Sequence, residues 1–131
     1  MQPQVTIRFD SQSSVPAVRQ IADNLRVLLV EEKLLPGMQL PSMRRMAMEL
    51  GVHFSTVAEA YRELAAEGWI DLQHGRGATV LERSVPSTRR LVWVDEFRDR
   101  LRGLIAQTRA GGAAGDEVAD ELRAAAKEIT Q

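Results

Sequence analysis

Apolar residues follow two different periodicities in the first third of the chain. Val5 to Phe9 alternates apolar and polar residues, which is typical of a short β-strand. Apolar residues then recur at helical spacing from Val18 to Leu29, with Ser14 placed to cap the start of the helix. Leu35-Pro36-Gly37 ends this segment, because proline lacks a backbone donor and glycine permits positive φ. The pattern predicts a strand followed by a helix that buries one face.

Two further helices are predicted, separated by a tight turn. One begins after a cap at Ser42 and runs to about Leu50, with Gly51 in the left-handed conformation that ends many helices. The next spans roughly Phe54 to Glu67 and stops at Gly68. Its predicted buried stripe is Val57, Ala60, Tyr61, Leu64 and Ala65, and its predicted exposed face is Ser55, Ala58, Glu59 and Arg62. A helix with a free face in this position fits the DNA major groove.

A β-hairpin is predicted next. The strand-like runs Trp69–Leu72 and Ala78–Leu81 flank a segment that contains two glycines, Gly75 and Gly77. Such a segment suits a slim hairpin tip. Three helices and a hairpin together predict a mostly α fold, with a winged helix-turn-helix domain over residues 1–83.

The rest of the chain is predicted to be a linker and a two-helix arm. Glu82 to Arg90 has the Ser, Pro, Thr and Arg content of a linker. Within residues 91–131 a flexible turn from Ala110 to Gly115 separates two amphipathic helices, the second capped by Asp116. A pair of such helices cannot bury both apolar stripes within about 40 residues, so we expect the arm to dimerise by packing against a second copy. The predicted dimerisation residues are Phe97, Leu101, Leu104, Ile105, Val118, Leu122 and Ile129.

Composition excludes several classes of function. The chain has 131 residues and no cysteine, which rules out disulfides and thiolate chemistry. Its two histidines, His53 and His74, lack a third metal ligand at suitable spacing, and no nucleophile or nucleotide-binding motif is present. We therefore expect no enzyme activity, no cofactor and no metal. No apolar run approaches the roughly 20 residues that span a bilayer, so we expect no membrane partner.

The charge of the chain bears on the DNA-binding hypothesis. The formal net charge is −1, whereas many DNA-binding domains are strongly basic. Residues 38–90 hold seven Arg and six acidic residues, for a net charge of +1, and residues 91–131 hold six basic and eight acidic residues, for a net charge of −2. The small positive excess keeps a second hypothesis open, a winged helix that acts as a protein interaction module without specific DNA binding.

A series of short motifs follows at characteristic spacings up to residue 81: Pro36-Gly37, Leu40-Pro41-Ser42-Met43-Arg44, Gly51-Val52, Thr56-Val57, Ala60-Tyr61-Arg62-Glu63-Leu64, Glu67-Gly68-Trp69-Ile70 and Gly75-Arg76-Gly77. Together they resemble the GntR family of bacterial transcription regulators, and the short arm is similar to that of the YtrA subfamily, whose members dimerise through it. The resemblance implies a cytoplasmic repressor that binds double-stranded DNA at an inverted-repeat (palindromic) operator as a homodimer. It leaves open a small-molecule effector, which would have to lie between helices or at the dimer seam.

The resemblance also implies which residues contact DNA: Arg44, the start of the third helix and the wing. We add Arg45, which lies beside Arg44, and Arg62, which lies on the exposed helix face. Phe54 stands where the family often has Arg or another polar residue; it could contact a thymine methyl group or pack against the second helix. The full predicted set is Arg44, Arg45, His53, Phe54, Ser55, Thr56, Arg62, His74, Gly75, Arg76 and Gly77.

Overall fold

The computed structural model describes residues 5–72, 77–83 and 87–130. Contacts divide the chain into two compact units, Met1–Ser84 and Val85–Gln131. Within the described ranges, no helix is both long and apolar enough to cross a membrane. The elements are α1 (Ala17–Val30), α2 (Met43–Leu50), α3 (Phe54–Ala66), β1 (Ile70–Leu72), β2 (Ala78–Val80), α4 (Ser87–Ala110) and α5 (Gly115–Thr130).

The predicted N-terminal strand is wrong. Residues 5–10 form no β-strand, and a side chain of α1 takes the place of a partner strand. The Asn24 amide accepts a hydrogen bond from the Arg8 backbone N–H at 3.1 Å and donates one to the Arg8 carbonyl at 3.2 Å. Val5 and Ile7 still pack against the core, so the alternation correctly indicated which side chains face inward.

Helix α1 buries one face as predicted, but both of its predicted ends are wrong. It begins after Pro16 rather than at a Ser14 cap, and it ends at Val30 rather than at residues 35–37. Glu32 adopts a left-handed conformation with φ of 59°, and the Lys33 backbone N–H donates to the Leu28 carbonyl at 2.9 Å. This is the hydrogen-bonding pattern that commonly terminates helices at glycine. Glutamate, unlike glycine, does not mark a helix end in a sequence, so this end of α1 was not predicted.

Helices α2 and α3 confirm the predicted helix-turn-helix. The Ser42 side chain accepts from the Arg45 backbone N–H at 3.2 Å, and Gly51 is left-handed with φ of 69°. One feature of α3 was predicted incorrectly, because Ala58 is only 6% exposed although we placed it on the outward face. The core that joins the three helices and the sheet contains Ile21, Leu25, Leu40, Met46, Val57, Tyr61, Leu64 and Ile70.

The wing is held by a segment that the sequence did not mark as a strand. Strands β1 and β2 pair antiparallel as predicted, with Ile70 opposite Val80. On the other side of β2, the backbone from Gly37 to Leu40 runs alongside it, with Gln39 bridging to Thr79. The N–H groups of Gly37 and Leu40 donate to carbonyls of β2, each at 2.8 Å. The chain that leads into α2 is therefore fixed to the base of the wing.

The second unit is a pair of contacting helices, α4 and α5. The linker prediction is wrong for residues 87–90, because α4 already begins at Ser87. Helix α5 begins at Gly115, so Asp116 lies in its first turn rather than at the cap. A carboxylate there still interacts favourably with the helix dipole. None of the side chains described between residues 92 and 130 is buried.

Candidate nucleic-acid interface

The start of α2 presents two arginines in different states. Ser42 fixes the first turn, and Arg44 is exposed with no hydrogen bond or ion pair to any residue that the structure describes. Arg45 is exposed too, but its Nε lies 2.9 Å from Oε1 of Glu49, one helical turn further on. Of the two, Arg44 therefore offers the uncommitted guanidinium, a group suited to a phosphate or a guanine edge.

The start of α3 differs from the start of α2 because no side chain caps it. His53 occupies the cap position without a side-chain hydrogen bond, and its carbonyl accepts from the Thr56 N–H at 3.1 Å. In the first turn of α3, Ser55 is exposed and Thr56 is half-buried. A helix N-terminus that no side chain caps has the electrostatic character of an anion-binding site, because its first backbone N–H groups find few partners within the helix.

The outward stripe of α3 continues from Ser55 to Glu59 and Arg62, at spacings of four and three residues. All three are exposed, and neither Glu59 nor Arg62 has a partner among the described residues. From residue 42 to residue 66 the chain carries three Arg and three Glu, so the helix-turn-helix has no net charge apart from His53. This surface is therefore polar, mixed in charge and uncovered within its own unit.

Two contacts hold α2 at a fixed position relative to α3 and the wing. The hydroxyl of the fully buried Tyr61, in α3, donates to the Pro41 carbonyl at 2.7 Å, one residue before the α2 cap. Burial raises the pKa of the Tyr61 hydroxyl, and the nearby Glu49 carboxylate adds to the effect. The pairing of residues 37–40 with β2 supplies the second contact. This pairing is not among the predicted strands, although Met38-Gln39-Leu40 alternates apolar and polar residues.

The tip of the predicted wing lies outside the described residues, and with it the predicted contacts His74, Gly75 and Arg76. Gly77 is described, at the base of the wing. Its φ is 79°, and a Cβ there would lie 4.0 Å from the Leu40 carbonyl oxygen. The left-handed backbone alone favours glycine at this position.

An ion cluster on α1 and the end of α3 was also missed from the sequence. Arg26 binds both carboxylate oxygens of Glu67, at 3.0 and 2.6 Å, and also contacts Asp23. The hydrogen bond from Arg26 lowers the pKa of the Glu67 carboxyl. Arg83, the last residue of the predicted winged-helix domain and part of the segment with linker composition, lies 4.3 Å from the centre of the Trp69 ring and donates to the Glu67 carbonyl. The cluster holds the end of the first unit against α3.

The residues predicted for dimerisation lie on the surface of the second unit. Phe97 is 59% exposed, Leu104 60% and Ile129 84%, whereas Leu122 is 39% exposed. Leu101, Ile105 and Val118 are half-buried. No group of three metal-ligating side chains occurs in the part of the chain that the structure describes.

A helix-turn-helix whose second helix leaves one face uncovered, followed by an antiparallel hairpin, defines the winged helix-turn-helix class of DNA-binding proteins. The family model "Bacterial regulatory proteins, gntR family" matches residues 17–80. The uncharacterized HTH-type transcriptional regulator YhcF of Bacillus subtilis is 32% identical over 117 residues, which cover 86% of this chain and 91% of that protein. The chain belongs to the GntR family of DNA-binding transcription regulators, a family of regulators rather than enzymes.

Further relatives agree with this assignment. The HTH-type transcriptional repressor YtrA of Bacillus subtilis is 36% identical over 78 residues, 60% of each chain. Among solved structures, YtrA from Sulfolobus acidocaldarius, a GntR-family transcription factor, has a TM-score of 0.56 and 35% identity, covering 79% of this chain and 97% of its own. A transcriptional antiterminator from Listeria monocytogenes EGD-e has a TM-score of 0.69 and 25% identity, covering 96% and 90%. The predicted family and fold class are confirmed, and the interpretation as a protein interaction module is set aside.

Proposed function

We propose that this regulator is a cytoplasmic repressor that binds an inverted-repeat operator as a homodimer. The similarity to YtrA of Bacillus subtilis, a transcriptional repressor, supports the direction of regulation. Two-fold symmetry of a homodimer calls for two half-sites in opposite orientation. Repression follows where such an operator overlaps a promoter.

In the proposed complex α3 lies in the major groove. The observation that carries this assignment is the uncovered start of α3, with exposed residues and no side-chain cap. Ser55, Thr56 and the first N–H groups of α3 contact phosphate, while Arg44 holds a phosphate or a guanine edge. Phe54 and Arg62 lie along the same helix, and His53 occupies the cap position at its start. Arg45 joins the contacts by opening its exposed ion pair with Glu49, which costs little because both side chains are solvated.

The test is a fluorescence anisotropy titration of a labelled DNA fragment from upstream of the gene, at several salt concentrations. We expect the logarithm of the association constant to fall linearly with the logarithm of salt concentration. Arg44→Ala is expected to weaken binding and, where Arg44 contacts phosphate, to reduce the slope by about 1 for each half-site. Arg19→Ala is the matched control, because it removes one exposed charge from α1 outside the proposed interface. Affinity that is independent of salt, or equal for both variants, would contradict the proposal.

The proposed dimer forms through the two-helix arm. Phe97, Leu104 and Ile129 support it, because they are large apolar side chains exposed on two contacting helices and gain from being covered. Sedimentation velocity is expected to give about twice the 14.6 kDa mass of one chain. Leu104→Glu should shift the protein toward monomer, whereas Ala106→Glu, which adds the same charge at an exposed site on the opposite side of α4 from Leu104, should not. A monomeric wild type would rule out this mode of binding.

A further inference from the structure

The first residue of α3 has an exposed aromatic ring. Phe54 is 51% exposed, and it is not among the partly buried side chains that pack against the core. Packing against the second helix, the alternative expected from the sequence, would therefore leave half of this side chain in solvent. Half of an aromatic side chain left in water forgoes favourable burial, so the free regulator would gain from covering this ring.

The chemistry of Phe54 limits what it can recognise in a DNA groove. A phenyl ring has neither a hydrogen-bond donor nor an acceptor, so it reads no polar edge of a base. In the major groove the apolar feature that distinguishes one base pair from another is the C5 methyl group of thymine. The N-terminal residues of a recognition helix are those that commonly reach base edges.

The charge around Phe54 also favours an apolar contact. The helix-turn-helix carries as many Glu as Arg, and none of its three Arg lies in the first turn of α3, so base contacts from that turn do not involve a basic side chain. Position 58, one turn after Phe54, holds a buried alanine with no group able to form a hydrogen bond through its side chain. The first turn of α3 therefore presents Phe54 and Ser55 to a base edge, with Glu59 one turn later.

We propose that Phe54 determines part of the sequence specificity of this regulator by covering the C5 methyl group of one thymine in each operator half-site. The inference rests on the proposed binding of α3 in the major groove. Replacing that thymine with deoxyuridine removes the methyl group and leaves the base-pairing edge unchanged. We expect the wild type to lose about fourfold in affinity for each half-site so modified, the effect of one buried methyl group.

The experiment is a double-mutant cycle on the footprinted operator. Each thymine is replaced in turn by deoxyuridine, and each DNA is titrated with wild type, Phe54→Ala, Phe54→Leu and Met48→Ala by fluorescence anisotropy. Phe54→Ala is expected to bind the thymine and deoxyuridine operators equally, and Phe54→Leu to retain part of the difference. Met48→Ala truncates another exposed apolar side chain, on α2, and should keep the wild-type difference. Circular dichroism of each variant confirms that the helices are intact.

The outcomes distinguish the proposed role of Phe54 from the proposed function of the whole protein. A wild type that binds the natural operator equally well with deoxyuridine at every thymine overturns the role of Phe54 and leaves the proposed function standing. The role of Phe54 is likewise overturned if Phe54→Ala, folded and bound, retains the full deoxyuridine penalty. A wild type that shows no preference for its upstream DNA over unrelated DNA overturns the proposed function and this inference with it.

Discussion

Replacing Tyr61 with Phe tests how the recognition surface is held in place. The substitution removes one hydroxyl from a fully buried side chain and with it the 2.7 Å hydrogen bond to the Pro41 carbonyl. Pro41 is itself buried, so its carbonyl loses a partner where water has little access. Leaving a buried acceptor unsatisfied costs about 1–3 kcal/mol, which is a large part of the stability of a small domain.

Urea and thermal denaturation, followed by circular dichroism, measure this effect. We expect the urea midpoint of Tyr61→Phe to fall at an unchanged m value, and the melting temperature to fall by about 4–8 °C for each kcal/mol lost. Thr6→Val is the matched control, because it removes an exposed hydroxyl from the same unit and should change stability by less than about 0.5 kcal/mol. Equal stability of Tyr61→Phe and wild type would refute the assignment of this hydrogen bond as the link between α3 and α2.

Three further predictions concern local features of the first unit. Glu32→Gly should raise the free energy of unfolding by about 0.5–1 kcal/mol in urea titrations, since φ of 59° is strained for glutamate; lower stability would contradict this. A double-mutant cycle of Arg26→Ala and Glu67→Ala should give a coupling of about 0.5–1 kcal/mol near neutral pH. Because the folded pKa of Glu67 is depressed, that coupling should be present above pH 4.5 and disappear as pH falls through the lowered pKa. The pKa of Tyr61 is raised above 10.0, so tyrosinate absorbance in an alkaline titration should appear together with unfolding, not before it.

The sequence predicted those helix ends that depend on one residue and its immediate neighbours. A serine before an apolar periodic segment predicted the Ser42 cap, and glycines after such segments predicted the left-handed residues Gly51 and Gly68. These signals are local, because the side chain or the missing Cβ acts on backbone within one turn. The spacing of four residues between Arg45 and Glu49 also predicts their ion pair, which is absent from our predictions.

Two of the errors occur where distant parts of the chain decide the local structure. Residues 5–10 resemble a strand, but Asn24 of α1 satisfies their backbone in place of a second strand. Arg83 resembles a linker residue, yet the Trp69 ring and the Glu67 carbonyl hold it against the first unit. Short polar segments carry little preference of their own, so tertiary contacts determine their conformation. The exposure of Arg44, Ser55 and Arg62 was predictable because these residues lie on two helices with clear local signals, whereas their contacts with DNA stay a prediction.

Because the helix-turn-helix has no net charge, we expect operator affinity to depend strongly on dimerisation through the second unit. One copy with three Arg and three Glu in residues 42–66 brings few positive charges to the phosphate backbone, so a single half-site should be bound weakly although its binding depends on salt. Joining two copies makes the second contact intramolecular, and the effective concentration of the second domain then supplies affinity that the charge does not. We therefore expect Leu104→Glu, although far from the recognition helix in sequence, to weaken operator binding more than Arg44→Ala does. Equal binding by a monomeric Leu104→Glu variant would show instead that one domain suffices.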